Sequence, residues 1–253
     1  MGRAERIAGW MRERVQEAGA QGLVVGLSGG VDSALVVRLA QLAAPGAVVG
    51  ALMPCHSDPQ DERDARLVAE RFSVPTVRVP LEPAYDALAA ALDAAAASLR
   101  VTIRPERPHD DPRARVAVAN LKPRLRMASL YYLANTLNYL VAGTGNRSEL
   151  SIGYFTKHGD GGVDLLPLAN LVKSEVRAMA RALGVPDAVV DRTPSAGLWS
   201  GQSDESEMGF SYGDLEHYLR DGPQSVAPAV AIKIERLVRT SEHKRHLPPA
   251  PPA

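Results

Sequence analysis

The residues best suited to chemistry stand together at positions 22–34, in the string GLVVGLSGGVDSA. Apolar residues at 23–27 predict a strand buried on both faces of a parallel sheet, and a helical pattern follows the glycine pair. A glycine turn between a strand and a helix aims backbone N–H groups and the positive helix end at one point, which makes an anion site. Ser28 and Ser33 add hydroxyl donors. Asp32 sets a carboxylate beside the bound phosphate, an arrangement tolerated mainly when a divalent cation bridges the two.

The string SGGVDS is more specific than an ordinary strand-to-helix turn with a serine cap. It lacks the lysine of the Walker loop, GxxxxGK[ST], and the third glycine of the dinucleotide-binding motif GxGxxG. The string therefore argues against both a kinase-type and a dinucleotide-binding fold. It resembles the PP-loop of ATP pyrophosphatases, enzymes that split ATP between the α and β phosphates and adenylate an oxygen of their substrate. The resemblance implies an ATP site, but it does not name the second substrate.

The composition limits the class of protein. The 253 residues suffice for one large α/β domain, and the 29 basic and 29 acidic residues balance, which leaves no electrostatic footprint for nucleic acid. No apolar run approaches the roughly 18–20 residues of a membrane span, and the N-terminal pattern is helical rather than that of a signal peptide. The single cysteine, Cys55, excludes an intrachain disulfide framework and a CxxC zinc site. We expect a soluble cytoplasmic enzyme with no membrane or nucleic-acid partner.

The order of the elements predicts an α/β fold, a doubly wound parallel sheet flanked by helices. With the PP-loop resemblance, this implies an adenine nucleotide alpha-hydrolase-like single domain over residues 1–246, followed by a proline-rich mobile tail at 247–253. Strands are predicted near 23–27, 47–53, 76–79 and 139–142, and helices near 3–18, 35–43, 61–72, 83–99, 114–138, 171–183, 213–220 and 226–239. A charged, mobile loop is expected at 104–112. The aperiodic segment 193–212 is either functional or disordered.

Polar loops follow the second and fourth predicted strands, at the sheet edge where open α/β sheets collect their ligands. The first contains Cys55 and His56, which lack a second cysteine or a paired histidine nearby, so we assign them no catalytic or metal role. The second is GTGNRSE, at residues 143–149, and we expect it to form a second catalytic loop.

Each of two further charged stretches can be interpreted either as part of a binding site or as an ordinary solvent-exposed segment. The helix string NLKPRLRM carries Arg124 and Arg126, which either form a solvated face or bind phosphate or carboxylate. The string FTKHGDGGVDLLPL follows the fourth strand, and its GDGG, residues 159–162, is predicted to need positive φ. Its closely spaced charges mark either an exposed loop or part of the site.

These strings, taken together, closely resemble ammonia-type NAD synthetases. The matching strings occur in the family's order across residues 22–246: SGGVDS, MPCHSDPQDE, NLKPRLRM, GTGNRSE, GYFTKHGDGGVDLLPL, LVKSEV, TPSAGL, QSDE and EHKR. The family's reaction has two steps. The nicotinic acid carboxylate of deamido-NAD attacks the α-phosphate of ATP and releases pyrophosphate, and ammonia then displaces AMP from the acyl adenylate to give NAD.

The resemblance also implies roles for individual residues. Asp32 and Glu149 match the carboxylates that bind Mg²⁺, and together with Lys173 they form the implied catalytic group. The implied ATP-binding positions are Gly26, Leu27, Ser28, Gly29, Gly30, Val31, Asp32, Ser33, Gln60, Thr144, Lys173 and Ser195. The implied deamido-NAD-binding positions are Arg124, Lys157, Asp164, His243 and Lys244.

The sequence departs from the family pattern in three places. GTGNRSE replaces the GTDHxxE of many bacterial members but keeps Thr144 and Glu149. Ser195 stands where threonine is common and preserves a hydroxyl group. Pro123 lies inside a predicted helix, where it can kink the helix and re-aim Arg124.

The partners implied by the resemblance are deamido-NAD, ATP, ammonia and a second copy of the chain. Family members are homodimers, and the predicted helix 114–138 has more apolar residues than one core face needs. Glutamine-using relatives carry an amidase domain ahead of the PP-loop, and only 21 residues precede Gly22 here, so we expect ammonia as the nitrogen source. The alternatives are a separate glutaminase that feeds this chain, another PP-loop amide or thioamide synthetase acting on a substrate such as tRNA, and a nucleotide-binding regulator without turnover.

Overall fold

The computed structural model describes residues 2–103, 112–195, 197 and 203–251. The helices and strands are α1 (Arg3–Glu17), β1 (Gly22–Gly26), α2 (Val31–Ala43), β2 (Val48–Leu52), α3 (Pro59–Arg71), β3 (Thr76–Arg78), α4 (Glu82–Ile103), α5 (Pro112–Ala119), α6 (Leu121–Leu137), β4 (Tyr139–Val141), α7 (Arg147–Ile152), α8 (Lys173–Ala182), α9 (Asp187–Val190), α10 (Asp204–Met208), α11 (Tyr212–Asp221) and α12 (Pro228–Ser241). Short 3₁₀ turns lie at Pro223–Ser225 and Glu242–Lys244.

The four strands of the described residues form one parallel sheet in the order β3-β2-β1-β4. The first strand therefore lies in the middle, with Val24 beside Val49 on one side and beside Val141 on the other. Because all the strands run the same way, their carboxyl ends meet at one edge, and the loops that leave this edge carry the polar strings. The predicted doubly wound α/β fold is confirmed.

Helices cover both faces of the sheet, so the inner strands β1 and β2 are apolar on both sides. On one face, the fully buried Leu23 and Val25 of β1 pack in the main core with residues of α1, α2, α3, α8 and α9. On the other face, Val24 packs beneath α6, against Leu130 and Ala134. A smaller core beneath α11 and α12 contains Leu215 and Ile234, and it holds the C-terminal helices against α7.

The single helix predicted at 114–138 is wrong, because the structure divides it into α5 and α6 at Asn120. Pro123 explains the break: it has no N–H to donate to the carbonyl of Ala119, and its ring crowds that carbonyl. The predicted apolar stripe on this helix is also displaced. Tyr132 is 74% exposed, whereas Ala134 is buried against the sheet.

The GDGG segment does not adopt the predicted positive φ; the positive φ belongs to His158, at +58°. The glycines are needed there for close packing instead. A Cβ atom on Gly161 would lie 2.6 Å from the ring of Phe155, and one on Gly162 would lie 3.0 Å from Met127.

Several predicted segments fall partly outside the described residues. The charged loop at 104–112 is outside except for Pro112, as are positions 196 and 198–202 of the aperiodic segment. Residues 247–251 of the tail have no regular secondary structure, and Leu247 is 90% exposed. Within the described part of the chain, no helix has both the length and the apolar character needed to cross a bilayer.

Candidate active site

The glycine turn after β1 is held by the two serines that the sequence singled out. Ser33 Oγ donates to the carbonyl of Gly30 at 2.9 Å and lies 3.1 Å from Ser28 Oγ. Gly30 is the N-cap of α2, so the first N–H groups of this helix face the turn. Gly29 has φ +81°, and a Cβ there would lie 2.3 Å from the carbonyl oxygen of Asp61, so only glycine fits. The turn is therefore a rigid anion cradle.

Three helices start at this edge of the sheet, and each contributes one charged side chain to a common cluster. Asp32 comes from the first turn of α2, Glu149 from the first turn of α7, and Lys173 begins α8. Lys173 Nζ lies 2.5 Å from Asp32 Oδ2 and 3.4 Å from Glu149 Oε1. The lysine is almost fully buried, and the carboxylates are largely so. This ammonium group is fixed between two carboxylates.

Asn146 forms hydrogen bonds with both carboxylate residues of this cluster, Asp32 and Glu149. Its side chain caps α7 by accepting the N–H of Glu149 at 3.1 Å, and its Nδ2 donates to Asp32 Oδ1 at 2.8 Å. Glu149 Oε2 in turn accepts the N–H of Asn146, which completes a capping box. A fully buried amide thus fixes the positions of Asp32 and Glu149 relative to each other.

The cluster contains two acidic groups and one basic group. Burial raises the pKa of Glu149 to about 8, although Lys173 opposes the rise. Burial also disfavours the charged form of Lys173, but Asp32 and Glu149 outweigh it, and the pKa of the lysine is raised. When Glu149 is ionised, the two carboxylates exceed the one lysine by one negative charge, and a divalent cation would offset that excess.

The donor set fits Mg²⁺ on chemical grounds. Hard oxygen ligands suit this ion, which commonly takes one or two carboxylates from the protein and the rest of its ligands from phosphates and water. Among the described residues, no group of three or more His, Cys, Asp or Glu side chains could hold a metal, so an all-protein cage is not what this site offers. Asp32 and Glu149, beside a phosphate cradle, match the two-carboxylate arrangement.

A tyrosine lies against the same lysine. Lys173 Nζ is 5.2 Å from the ring centroid of Tyr212, within the range of a cation–π contact. Asp204 anchors this ring, since it accepts the hydroxyl of Tyr212 at 2.8 Å and also that of Tyr154 at 3.2 Å. Burial raises the pKa of Asp204, and Tyr212 is buried as well. The two residues form a wall behind the ammonium group.

A second group of charged residues lies where the C-terminal 3₁₀ turn meets the loop after α7. Lys157 Nζ donates to the carbonyl of His243 at 2.8 Å, and Arg124 Nη2 approaches the carbonyl of Lys157 at 3.4 Å. Lys244 Nζ donates at 2.7 Å to the carbonyls of both Gly153 and Phe155. These cations are bonded to backbone rather than to carboxylates.

Asp164 stands at the carboxyl end of β4. One of its oxygens accepts the N–H of Val141 at 2.8 Å, and the other accepts the hydroxyl of Tyr131 at 3.0 Å. The residue next to it, Leu165, pairs with Ala142 and covers the outer edge of β4. Asp164 is exposed and therefore accessible to a ligand.

Comparison with known proteins assigns this arrangement to a family. Residues 3–248 match the family model described as NAD synthase. The chain belongs to the NAD synthase family. It is 50% identical over 249 residues to the NH(3)-dependent NAD(+) synthetase of Carboxydothermus hydrogenoformans, a match that covers 98% of this chain and 96% of the relative.

Solved structures of the family have the same fold. An NMN synthetase from Francisella tularensis superposes with a TM-score of 0.87 at 35% identity and covers 98% of this chain and 97% of its own. An NH3-dependent NAD synthetase from Campylobacter jejuni gives a TM-score of 0.77 at 25% identity over the whole of both chains. The family and its class, carbon–nitrogen ligase, are as the sequence predicted.

The structure brings together some of the residues predicted for the NAD synthase site. Asp32, Glu149 and Lys173 are in contact, and Arg124, Lys157 and His243 are linked through backbone carbonyls. Gly26, Leu27 and Val31 flank the anion cradle at the end of β1 and the start of α2. Thr144 is half-buried in the loop between β4 and α7, and Ser195 Oγ accepts the N–H of Gly197 at 3.1 Å. Gln60 is engaged with Asp64, to which its amide donates at 2.7 Å.

Sequence reasoning missed three residues that contact the charged cluster or its neighbours: Asn146, Asp204 and Tyr212. Only Asn146 left a usable signal, because an asparagine three positions before a glutamate is the pattern of a helix capping box. Cys55, which the sequence analysis left without a catalytic role, is fully buried, and burial raises the pKa of its thiol. A thiol in this state is a poor nucleophile.

Proposed function

We propose that this protein amidates deamido-NAD to NAD, with ATP as co-substrate and ammonia as nucleophile, and releases AMP and pyrophosphate. The observation that carries the proposal is the buried Lys173 between Asp32 and Glu149, beside the glycine turn. Binding a triphosphate next to a substrate carboxylate requires strong local compensation of negative charge, and this cluster supplies it.

In the first step, an oxygen of the nicotinate carboxylate bonds to the α-phosphorus of ATP, and the bond from that phosphorus to pyrophosphate breaks. Residues 26–33 hold the phosphates through backbone N–H groups and serine hydroxyls. Lys173 offsets charge on the phosphates, and its buried position removes the need for the group to reorganise during the reaction.

In the second step, ammonia bonds to the carbonyl carbon of the acyl adenylate, the bond to AMP breaks, and a proton leaves the new amide nitrogen. No protein nucleophile is required, so catalysis rests on positioning and electrostatics. Asp164, exposed at the end of β4, is proposed to contact deamido-NAD at this edge of the sheet.

The proposed metal ligands are Asp32 and Glu149, and Mg²⁺ bound there supplies charge neutralisation for the phosphates. The proposed deamido-NAD contacts are Arg124, Lys157, Asp164, His243 and Lys244. Of these, Arg124, Asp164 and His243 are exposed, whereas Lys244 is partly buried and bonded to two backbone carbonyls.

We also propose a homodimer formed through α6. Tyr132 and Leu137 of this helix are 74% and 38% exposed, which leaves apolar surface for a second copy to cover. Sedimentation tests the interface: a stable monomer at micromolar concentration contradicts it.

The test of function measures AMP and NAD formed from deamido-NAD, MgATP and ammonium, beside a reaction with glutamine. AMP and NAD in equal amounts with ammonium alone support the proposal. Turnover with glutamine as well indicates a separate glutaminase in the preparation, and no product from either donor contradicts the proposed reaction.

A second candidate is the amidation of nicotinic acid mononucleotide to NMN. The similarity to the Francisella NMN synthetase, at a TM-score of 0.87, favours its inclusion. The same assay with the mononucleotide separates the candidates. A higher kcat/KM for the mononucleotide than for deamido-NAD assigns the chain to the second reaction.

A further inference from the structure

Arg192 connects two parts of the molecule that flank the proposed ATP site. Its Nη2 lies 2.6 Å from Asp61 Oδ1, and its Nη1 lies 2.9 Å from Asp64 Oδ2. Both carboxylates belong to α3, one turn apart, so the planar guanidinium group bridges them with separate nitrogens. The Asp64 side chain is only 7% exposed, which shields this ion pair from solvent.

The N-terminal end of α3, which Arg192 contacts, also packs against the glycine turn after β1. Gly29 packs directly on the backbone of Asp61, as the 2.3 Å distance from its hypothetical Cβ to the Asp61 carbonyl shows. Asp58 caps this end of α3 by accepting the N–H of Gln60 at 2.8 Å. Any shift of the first turn of α3 is therefore passed to the phosphate cradle.

The other end of the connection is the segment that carries Ser195. This segment starts at Arg192 and comes back to α3 at Gly197, where a hypothetical Cβ would lie 3.8 Å from Asp61 Oδ2. The carbonyl of Pro194 accepts the N–H of Asp204, the first residue of α10. The residues that precede Ser195 are therefore held, by α3 through Arg192 and by the buried Asp204 through Pro194. Asp204 also accepts the hydroxyl of Tyr212, whose ring lies against Lys173.

We propose that Arg192 is a positioning residue for ATP: it fixes the Ser195 segment against the helix that supports the glycine turn. The inference rests on the proposed use of ATP, and it adds a residue that touches neither the proposed metal ligands nor Lys173. The guanidinium group is suited to this task because a lysine can reach only one of the two carboxylates at a time.

The experiment measures pyrophosphate–ATP exchange in the full-length Arg192→Met and Arg192→Lys variants, with MgATP and deamido-NAD varied separately. Loss of a charge-assisted bridge predicts that Arg192→Met raises the KM for MgATP about tenfold. The KM for deamido-NAD is expected to stay within about twofold. Arg192→Lys, which keeps one ion pair, is expected to recover most of the KM for MgATP.

Arg220→Met is the control. Arg220 is also paired with an aspartate, Asp221 at the end of α11, but its side chain is 66% exposed and its ion pair involves neither α3 nor the Ser195 segment. This control is expected to leave both KM values unchanged. Asp61→Asn removes the carboxylate partner without removing the arginine, and it is expected to raise the KM for MgATP as well.

An unchanged KM for MgATP in both Arg192→Met and Asp61→Asn overturns the inference, as does an equal rise in the two KM values, which indicates general loosening. Calorimetric titration of each variant with MgATP gives the same comparison without chemistry. If the parent enzyme binds MgATP but shows no exchange, the proposed function fails. The inference is then tested only by calorimetry, as the ratio of the Kd for MgATP in each variant to that in the parent; an unchanged Kd in Arg192→Met and Asp61→Asn overturns it.

Discussion

The two charged regions of the site are built in opposite ways. Around Lys173, oppositely charged side chains from the first turns of three helices bond to one another in a buried space, and the cap of α7 fixes Glu149. Around Lys157 and Lys244, the cations bond to backbone carbonyls at a more exposed junction between the C-terminal turn and the loop after α7. Ion pairs between side chains hold the first region together, and hydrogen bonds from lysines to backbone carbonyls hold the second.

This difference separates two roles that a charged residue can have. A lysine that pairs with buried carboxylates has an electrostatic role that no neutral side chain can replace. A lysine that joins two carbonyls also holds the fold, so its loss changes stability as well as binding. Substitutions in the two regions should therefore differ in the relative size of their effects on activity and on the free energy of unfolding.

The largest effect is expected for Lys173→Met, which leaves two buried carboxylates without their cation. We expect pyrophosphate–ATP exchange to fall by a factor of about 10²–10³, together with a loss of roughly 3 kcal/mol in the free energy of unfolding. The control is Lys233→Met, which removes an exposed lysine bonded to one carbonyl. Exchange within tenfold of the parent, in a folded variant, would contradict the role of Lys173.

Asp32→Asn is expected to lower turnover by about a hundredfold at ordinary magnesium concentration, because it removes a proposed ligand while keeping the side-chain shape. Part of the activity should return as magnesium is raised. The measurement is turnover across a magnesium titration, and an unchanged midpoint would remove Asp32 from the list of proposed ligands.

Lys244→Met and Lys157→Met are expected to differ within the second region. Lys244 joins two carbonyls at 2.7 Å and stacks on Phe155, so its loss should cost about 1–3 kcal/mol of unfolding free energy. Lys157 bonds to one exposed carbonyl, so its loss should mainly raise the KM for deamido-NAD, by about tenfold. Denaturant unfolding and steady-state kinetics of both variants test this, and equal losses of stability would contradict it.

The smallest effect is expected at alkaline pH for Tyr131→Phe. Burial, and then the nearby Asp164, raise the pKa of Tyr131 from 10 to about 12, so the folded state favours the protonated phenol. Its contribution to stability is therefore full below about pH 10 and is lost as the pH rises through about 12. The variant should lose stability less steeply than the parent across this window. Tyr132→Phe, at an exposed neighbouring position, is the control and should follow the parent.

The sequence was most informative where chemistry follows directly from the order of elements. The order of the elements predicted that the glycine turn and the polar loop after the fourth strand lie at the same edge of the sheet. The family resemblance, rather than the pattern, implied that Asp32 and Glu149 act together there, and the structure makes β1 and β4 neighbours in the parallel sheet. The sequence pattern predicted one continuous helix that Pro123 could kink, whereas the structure breaks it at Asn120.

Other features depend on contacts between distant segments, which local patterns do not encode. Nothing near Tyr212 in the sequence indicates that its ring lies against Lys173, and nothing near Arg192 indicates that its partners are Asp61 and Asp64. From the sequence, the glycines of GDGG were attributed to a need for positive φ, whereas the structure shows that they are required for close packing against Phe155 and Met127. Such contacts become visible only when the fold is known.

The pairing of β1 with the edge strand β4 has a consequence for how activity arises during folding. Asp32 meets Asn146 across 114 residues of chain and Lys173 across 141, so the contacts that bring Asp32 into the charged cluster are all of long sequence separation. Contacts of such long sequence separation carry a large loop-closure entropy and form slowly. We therefore expect refolding protein to regain its helical circular dichroism well before its enzymatic activity, with an inactive but largely helical species in the interval.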